Sequence, residues 1–90
     1  MAVTAAIHHR VKDYDAWREV YDEFADVQKA NGVTDESVHR AKEDGNDLLV
    51  LHRFASVDDA DAFFALTELR EAMQRGGVEG EPQIRIYEDA

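Results

Sequence analysis

His8-His9-Arg10-Val11-Lys12-Asp13-Tyr14-Asp15-Ala16-Trp17 changes its periodicity halfway along. Up to Val11 it completes an alternation in which Val3, Ala5, Ile7, His9 and Val11 share one face, while Thr4, Ala6, His8, Arg10 and Lys12 share the other. A period of two marks a half-buried strand. Beyond it, Tyr14, Trp17, Val20, Tyr21, Phe24 and Val27 recur at helical spacing, with Arg18, Glu19, Asp22, Glu23 and Asp26 opposite them. This is an amphipathic helix. Asp13 stands where a carboxylate can accept from the first free amides, and Asn31-Gly32 supplies residues that tolerate a left-handed cap.

The same reading extends to the C-terminus. Residues 36–42 alternate weakly around Val38 among charged neighbours, which suits an edge strand. Glu43-Asp44-Gly45-Asn46-Asp47 reads as a turn, with Gly45 supplied for a positive φ. Leu48-Leu49-Val50-Leu51-His52-Arg53-Phe54 is apolar on both faces and is expected to be a central strand covered on both sides. Ser56-Val57-Asp58-Asp59 resembles a capping box, and Ala60, Phe63 and Phe64 supply the buried stripe of the helix it opens. Asp58, Asp59 and Asp61 suit the positive end of that helix, with calcium a remote alternative. Thr67 is expected to cap a further helical piece that buries Leu69 and Met73 and stops at Gly76-Gly77. Pro82 then opens a last strand, with Ile84 and Ile86 facing one way and Arg85 and Tyr87 the other.

The order is therefore βαββαβ, with the second helix broken near Thr67, in a single domain over residues 1–90. One antiparallel sheet with helices on one face is the ferredoxin-like α+β arrangement, in which the first and third strands are central. Its helix-free face is the difficulty. Either Leu49 and Leu51, or Leu48, Val50 and Phe54, must point there, and an exposed apolar patch is unfavourable in water. A homodimer through the sheet faces removes the problem.

Composition narrows the partners. Twenty acidic against ten basic residues give a formal charge of -10, which repels nucleic acid phosphate and anionic membrane surfaces. The acidity reads either as a solvated face or as adaptation to a salt-rich cytoplasm, where screening relieves self-repulsion. The absence of cysteine excludes disulfides, thiolate metal sites and cysteine nucleophiles. No run is long and apolar enough for a membrane span and nothing resembles a signal peptide, so a cytoplasmic protein is expected. No phosphate-cradling glycine loop is present, and no cofactor is expected.

The candidate chemistry gathers on the buried side of the sheet. A buried neutral imidazole at His9 could abstract a proton from an acidic C–H or a phenol; the plainer alternative is a hydrogen-bonded core histidine. His52 lies on the face of Val50 and Phe54 and could look into the same cavity as His9. Trp17 and Tyr21, one turn apart, would offer a planar ligand an apolar wall and a hydroxyl, or would simply fill the core. Tyr14 more simply staples the helix to the sheet. His8 and Arg10, with Arg53, suit a polar seam on the dimer side. His8 and His9 point to opposite faces and cannot chelate together, so no metal site is expected from them with His39 and His52.

Three segments carry a family resemblance: His9-x-Val11-x-Asp13-Tyr14-x-x-Trp17, Phe63-x-x-x-x-Glu68-Leu69-Arg70-Glu71-Ala72-Met73, and Gly77-Val78-x-Gly80-x-Pro82. Together they resemble the dimeric α+β-barrel proteins, and within them the antibiotic biosynthesis monooxygenase and polyketide-cyclase-like group. The resemblance implies two subunits with their sheets packed together and a pocket between each sheet and its helices. It also implies a choice among cofactor-independent oxygenation of aromatic polyketides, haem degradation and no catalysis at all. No histidine in a clearly ligand-like helical position supports haem degradation. Three functions follow as expectations: a cofactor-free monooxygenase or cyclase for an aromatic or apolar small molecule, a non-catalytic binding or self-assembly module, and a regulatory subunit of a larger enzyme.

Overall fold

Strand β1 (Val3–Val11) buries every odd-numbered position and leaves the even ones half-buried or exposed, as alternating side chains require. The computed structural model describes residues 2–90. After β1 the chain runs through α1 (Tyr14–Glu23), α2 (Ala25–Ala30), β2 (Asp35–Arg40), β3 (Asp47–Phe54), α3 (Val57–Phe64), α4 (Thr67–Arg75) and β4 (Val78–Glu88). The strands form one sheet in the order β2-β3-β1-β4, with every neighbouring pair antiparallel. This is the ferredoxin-like α+β arrangement, with β1 and β3 at the centre.

The register decides which face of β3 is the core face. Leu48, Val50, His52 and Phe54 are buried beneath the helices, whereas Leu49 and Leu51 turn to the open face. Leu49 is 39% exposed, so within one chain β3 is covered on one side only, contrary to the expected double cover. Two clusters fill the interior. One holds Val3, Phe24, Phe54, Phe63 and Leu69; the other holds Ile7, Val11, Trp17, Leu48 and Val50; Phe64 packs against both.

Several local expectations need correction. The first helix is not continuous to Asn31: it breaks at Phe24 (φ -84°, ψ -2°), whose amide is shared between the carbonyls of Val20 and Tyr21, both 3.1 Å away. The break turns α2 so that Phe24 and Gln28 are both buried. Asp13 caps α1 as expected, accepting from the Ala16 amide at 3.2 Å, and the chain leaves α2 through Gly32 at φ +96°. Thr67 is not a cap, because Leu66 takes the extended conformation ahead of α4 and offers no side-chain acceptor. The Ser56 hydroxyl does accept from the Asp59 amide at 3.2 Å.

Gly45 has no positive φ. The Arg40 side chain lies over it instead: a Cβ there would meet the guanidinium at 2.5 Å and push this flexible side chain aside, and Arg40 Nε donates to the Gly45 carbonyl at 2.9 Å. Pro82 lies inside β4 instead of opening it. The β1–β4 register shifts between His8 and Arg10, with Gly80 at φ +70°. A bulge on an edge strand is where a residue without an amide proton is tolerated.

Candidate functional site

The break at Phe24 and the alternation of β1 and β3 bring aromatic and imidazole rings to one interior point. Trp17 and Tyr21 stack with centroids 4.7 Å apart and planes at 26°. His9 meets the Trp17 ring edge-on at 5.8 Å, and His52 meets Phe63 edge-on at 5.6 Å. Gly76, beyond α4, is kept bare by the same cluster, since a Cβ there would come within 3.0 Å of Trp17 Cδ1. His9, His52, Trp17 and Tyr21 all line one cavity of about 50 Å³ between sheet and helices. Tyr14 is not part of its lining; it lies beside Trp17 with centroids 6.0 Å apart, its amide held by Asn46 Oδ1 at 2.9 Å and the Arg40 guanidinium 3.9 Å from its ring centroid.

Both interior histidines are buried, and among the described residues neither Nδ1 has a hydrogen-bond partner. Such a buried, unmatched polar atom is unfavourable unless a water or a ligand meets it. Burial lowers the pKa of His52 to about 4, against the opposing charge of Glu36. Burial also lowers that of His9. Near neutral pH both rings are therefore neutral and able to accept a proton.

Tyr21 connects His52 to the outside. Its hydroxyl donates to Glu36 Oε1 at 2.5 Å and lies 3.1 Å from His52 Nε2. With the phenolic proton committed to the carboxylate, Nε2 must be the donor to the phenolic oxygen, which assigns His52 the Nε2–H tautomer. Burial first, and then Glu36, raise the Tyr21 pKa, with Gln28 and Arg18 opposing.

Sequence reasoning missed two members of this group. In sequence Glu36 is one charged residue of a polar edge strand, yet it pairs directly with His52 across the β2–β3 ladder. Gln28 lines the cavity and is 4% exposed. Its spacing of seven from Tyr21 and four from Phe24 continues the apolar stripe and was the available signal.

The cavity has two walls toward solvent. Phe64, Leu69 and Met73 separate it from an outer groove that runs past the β4 bulge. Tyr21 and Gln28 separate it from a polar cleft lined by Arg18, Lys29, Asp35 and Glu36. The open sheet face is chemically different. There His8 Nε2 lies 2.6 Å from Asp47 Oδ1, His39 Nε2 lies 2.9 Å from Ser37 Oγ, and Arg10 and Arg53 pair with Asp44 and Asp89. Among the described residues no three His, Asp or Glu side chains converge as a metal site would need, and no helix is long and apolar enough to cross a membrane.

No family model matches the sequence, and no curated protein does. Solved structures do share its fold. A candidate antibiotic biosynthesis monooxygenase from Caulobacter crescentus is 19% identical at a TM-score of 0.80, over 99% of this chain and 90% of its own. SnoaB, a cofactor-independent oxygenase from Streptomyces nogalater, is 11% identical at 0.81, over 99% and 93%. A conserved protein from Methanosarcina mazei Go1 is 16% identical at 0.80, over 100% and 94%. Identities this low establish a common fold, and function must be argued from the site.

Proposed function

We propose that the chain is a small homodimeric pocket protein that takes a proton from a planar, apolar or aromatic small molecule without a cofactor, as a monooxygenase or a cyclase would. The observation that carries this reading is the pair of neutral imidazoles, His9 and His52, with unmatched Nδ1 atoms in one cavity beside the Trp17–Tyr21 stack. One imidazole accepts the proton from an acidic C–H or hydroxyl, and the stacked rings hold the ligand plane. The carbanion so formed, or the carbon-centred form of the oxyanion, adds dioxygen, takes the proton back as a hydroperoxide and loses water to leave a carbonyl; or it attacks a carbonyl of the same ligand to close a ring, whose alkoxide takes the proton back. The likeness in fold to a cofactor-independent oxygenase agrees with this chemistry.

Size sets a condition on the reading. A cavity of about 50 Å³ has room for only a few waters at most, whereas a benzene-sized guest needs about 150 Å³. An aromatic ligand therefore enters by displacing the Phe64–Leu69–Met73 wall, the apolar partition, at the joint between α3 and α4. The small volume is also what favours the second reading, a non-catalytic binding or self-assembly module.

Dimerisation rests on the open sheet face. Leu49 and Tyr87 are 39% and 49% exposed there, beside half-buried Ala6 and Leu51 and within a rim of ion pairs. An apolar patch with a polar rim suits a symmetric sheet-to-sheet contact.

Trp17 is the chain's single tryptophan, so its emission reports directly on the cavity. Titration with a naphthol should change that emission to saturation. His9→Ala and His52→Ala should each weaken the binding so measured. Emission that no planar phenol alters would reject ligand binding, and binding that neither substitution weakens would leave the non-catalytic module.

A further inference from the structure

The hydrogen bonds around Tyr21 make a continuous line from the cavity to the surface: His52 Nε2 to the Tyr21 hydroxyl at 3.1 Å, and that hydroxyl to Glu36 Oε1 at 2.5 Å. The geometry points to a proton relay in which Glu36 is the outer terminus, carrying away the proton that His52 takes from a cavity-bound ligand. The relay rests on the proton-abstraction reading above. Glu36 acts only through Tyr21 and His52, as a positioning and relay residue.

Each link is held by a separate part of the fold. Glu36 stands opposite His52 in the β2–β3 register, so the sheet itself fixes the distance between the two ends. Tyr21 bridges them from α1, held by its stack on Trp17. The inner end is 3% exposed, whereas Glu36 is open to the polar cleft. The directions of donation also agree, because Nε2–H points outward along the line and leaves Nδ1 free on the inner side. If the hydroxyl needed only a partner, water in the cleft would satisfy it. A carboxylate at the end of the line adds a group that can take the proton itself.

The transfer balances without any further reagent. The ligand's proton goes to His52 Nδ1, the Nε2 proton to the Tyr21 oxygen, and the phenolic proton to Glu36, which releases it to water. The ligand is left as an anion, His52 as the neutral Nδ1–H form, and Tyr21 as a phenol. Neither His52 nor Tyr21 therefore keeps a full charge, which would be strongly unfavourable on a buried side chain. When the product takes a proton back from Nδ1, the line runs in reverse and restores the starting tautomer.

The test needs no ligand, so its outcome is independent of whether the pocket reading holds. Solvent exchange of the His52 Nε2 proton is measured by saturation transfer on the imidazole resonances of the full chain. Glu36→Gln keeps an acceptor for the hydroxyl but cannot take a proton. It should slow the exchange about 100-fold, the lower end of what a positioned acid or base contributes, while leaving the Nε2–H tautomer in place. Tyr21→Phe should slow it as much and also relax the tautomer preference. An unchanged exchange rate in Glu36→Gln would overturn the relay and leave Glu36 as a hydrogen-bond partner only.

Discussion

The chain's four histidines divide evenly between the two faces of one sheet. His8 and His39 are exposed on the open face and matched, the first by Asp47 and the second by Ser37. His9 and His52 are buried under the helices, neutral, and unmatched at Nδ1. His8 and His9 are adjacent in sequence, so neither local composition nor exposure of the segment explains the difference. Strand alternation alone puts one in water and the other in the core. The face with satisfied polar groups suits assembly, and the face with unsatisfied ones suits a ligand.

The largest way to disturb that contrast is to open the covered face. Phe63 is fully buried and touches His52, Phe54 and Phe64. Phe63→Ala should destabilise the fold by about 3–5 kcal/mol in denaturant unfolding, and the enlarged cavity should bind small aromatic molecules more readily. Next comes protonation of the covered pair. The His52 pKa falls from 6.5 in the unfolded chain to about 4 in the folded one, so below pH 6.5 the unfolded state binds the extra proton. Stability is then complete above pH 6.5 and is lost as pH falls toward 4, by about 3 kcal/mol from this residue. His9 adds to the loss in the same direction. Urea midpoints across this range should fall steeply in the parent and more gently in His52→Leu.

On the open face the expected effects fall on assembly. Leu49→Asp should leave the folded subunit intact and raise the dimer Kd about 100-fold, if each of two symmetry-related contacts loses about 1.4 kcal/mol. Sedimentation over a concentration series would read this, and an unchanged distribution would remove the sheet face as the interface. The smallest effect belongs to His8. Its pair with Asp47 is half exposed, so His8→Ala should change stability by less than about 1 kcal/mol in the same urea titration.

How much of this was legible in the sequence depends on which interaction fixes each feature. The alternation of β1 and the Asp13 cap are local, and they were readable residue by residue. The break at Phe24 was not, because the apolar stripe passes through it unchanged and only packing against Phe63 and the sheet turns the chain. Gly45 looks like a turn glycine with a positive φ, yet its backbone does not take that conformation, and what lies against it is the Arg40 side chain from across the hairpin. The same divide runs through the site. That His9 and Trp17 share an interior follows from periodicity, whereas a cavity lined by both His9 and His52 depends on how the strands pair. Glu36 joins them through the β2–β3 register, which a sequence specifies only through the completed sheet.

If the covered histidines form a ligand site and the open ones do not, only the covered rings should respond to a ligand. Recording the imidazole ¹⁵N resonances of all four histidines while a naphthol is titrated in tests it most directly. His9 and His52 should shift together to saturation while His8 and His39 stay in place. Shifts confined to His8 and His39, or none at the covered pair, would contradict it.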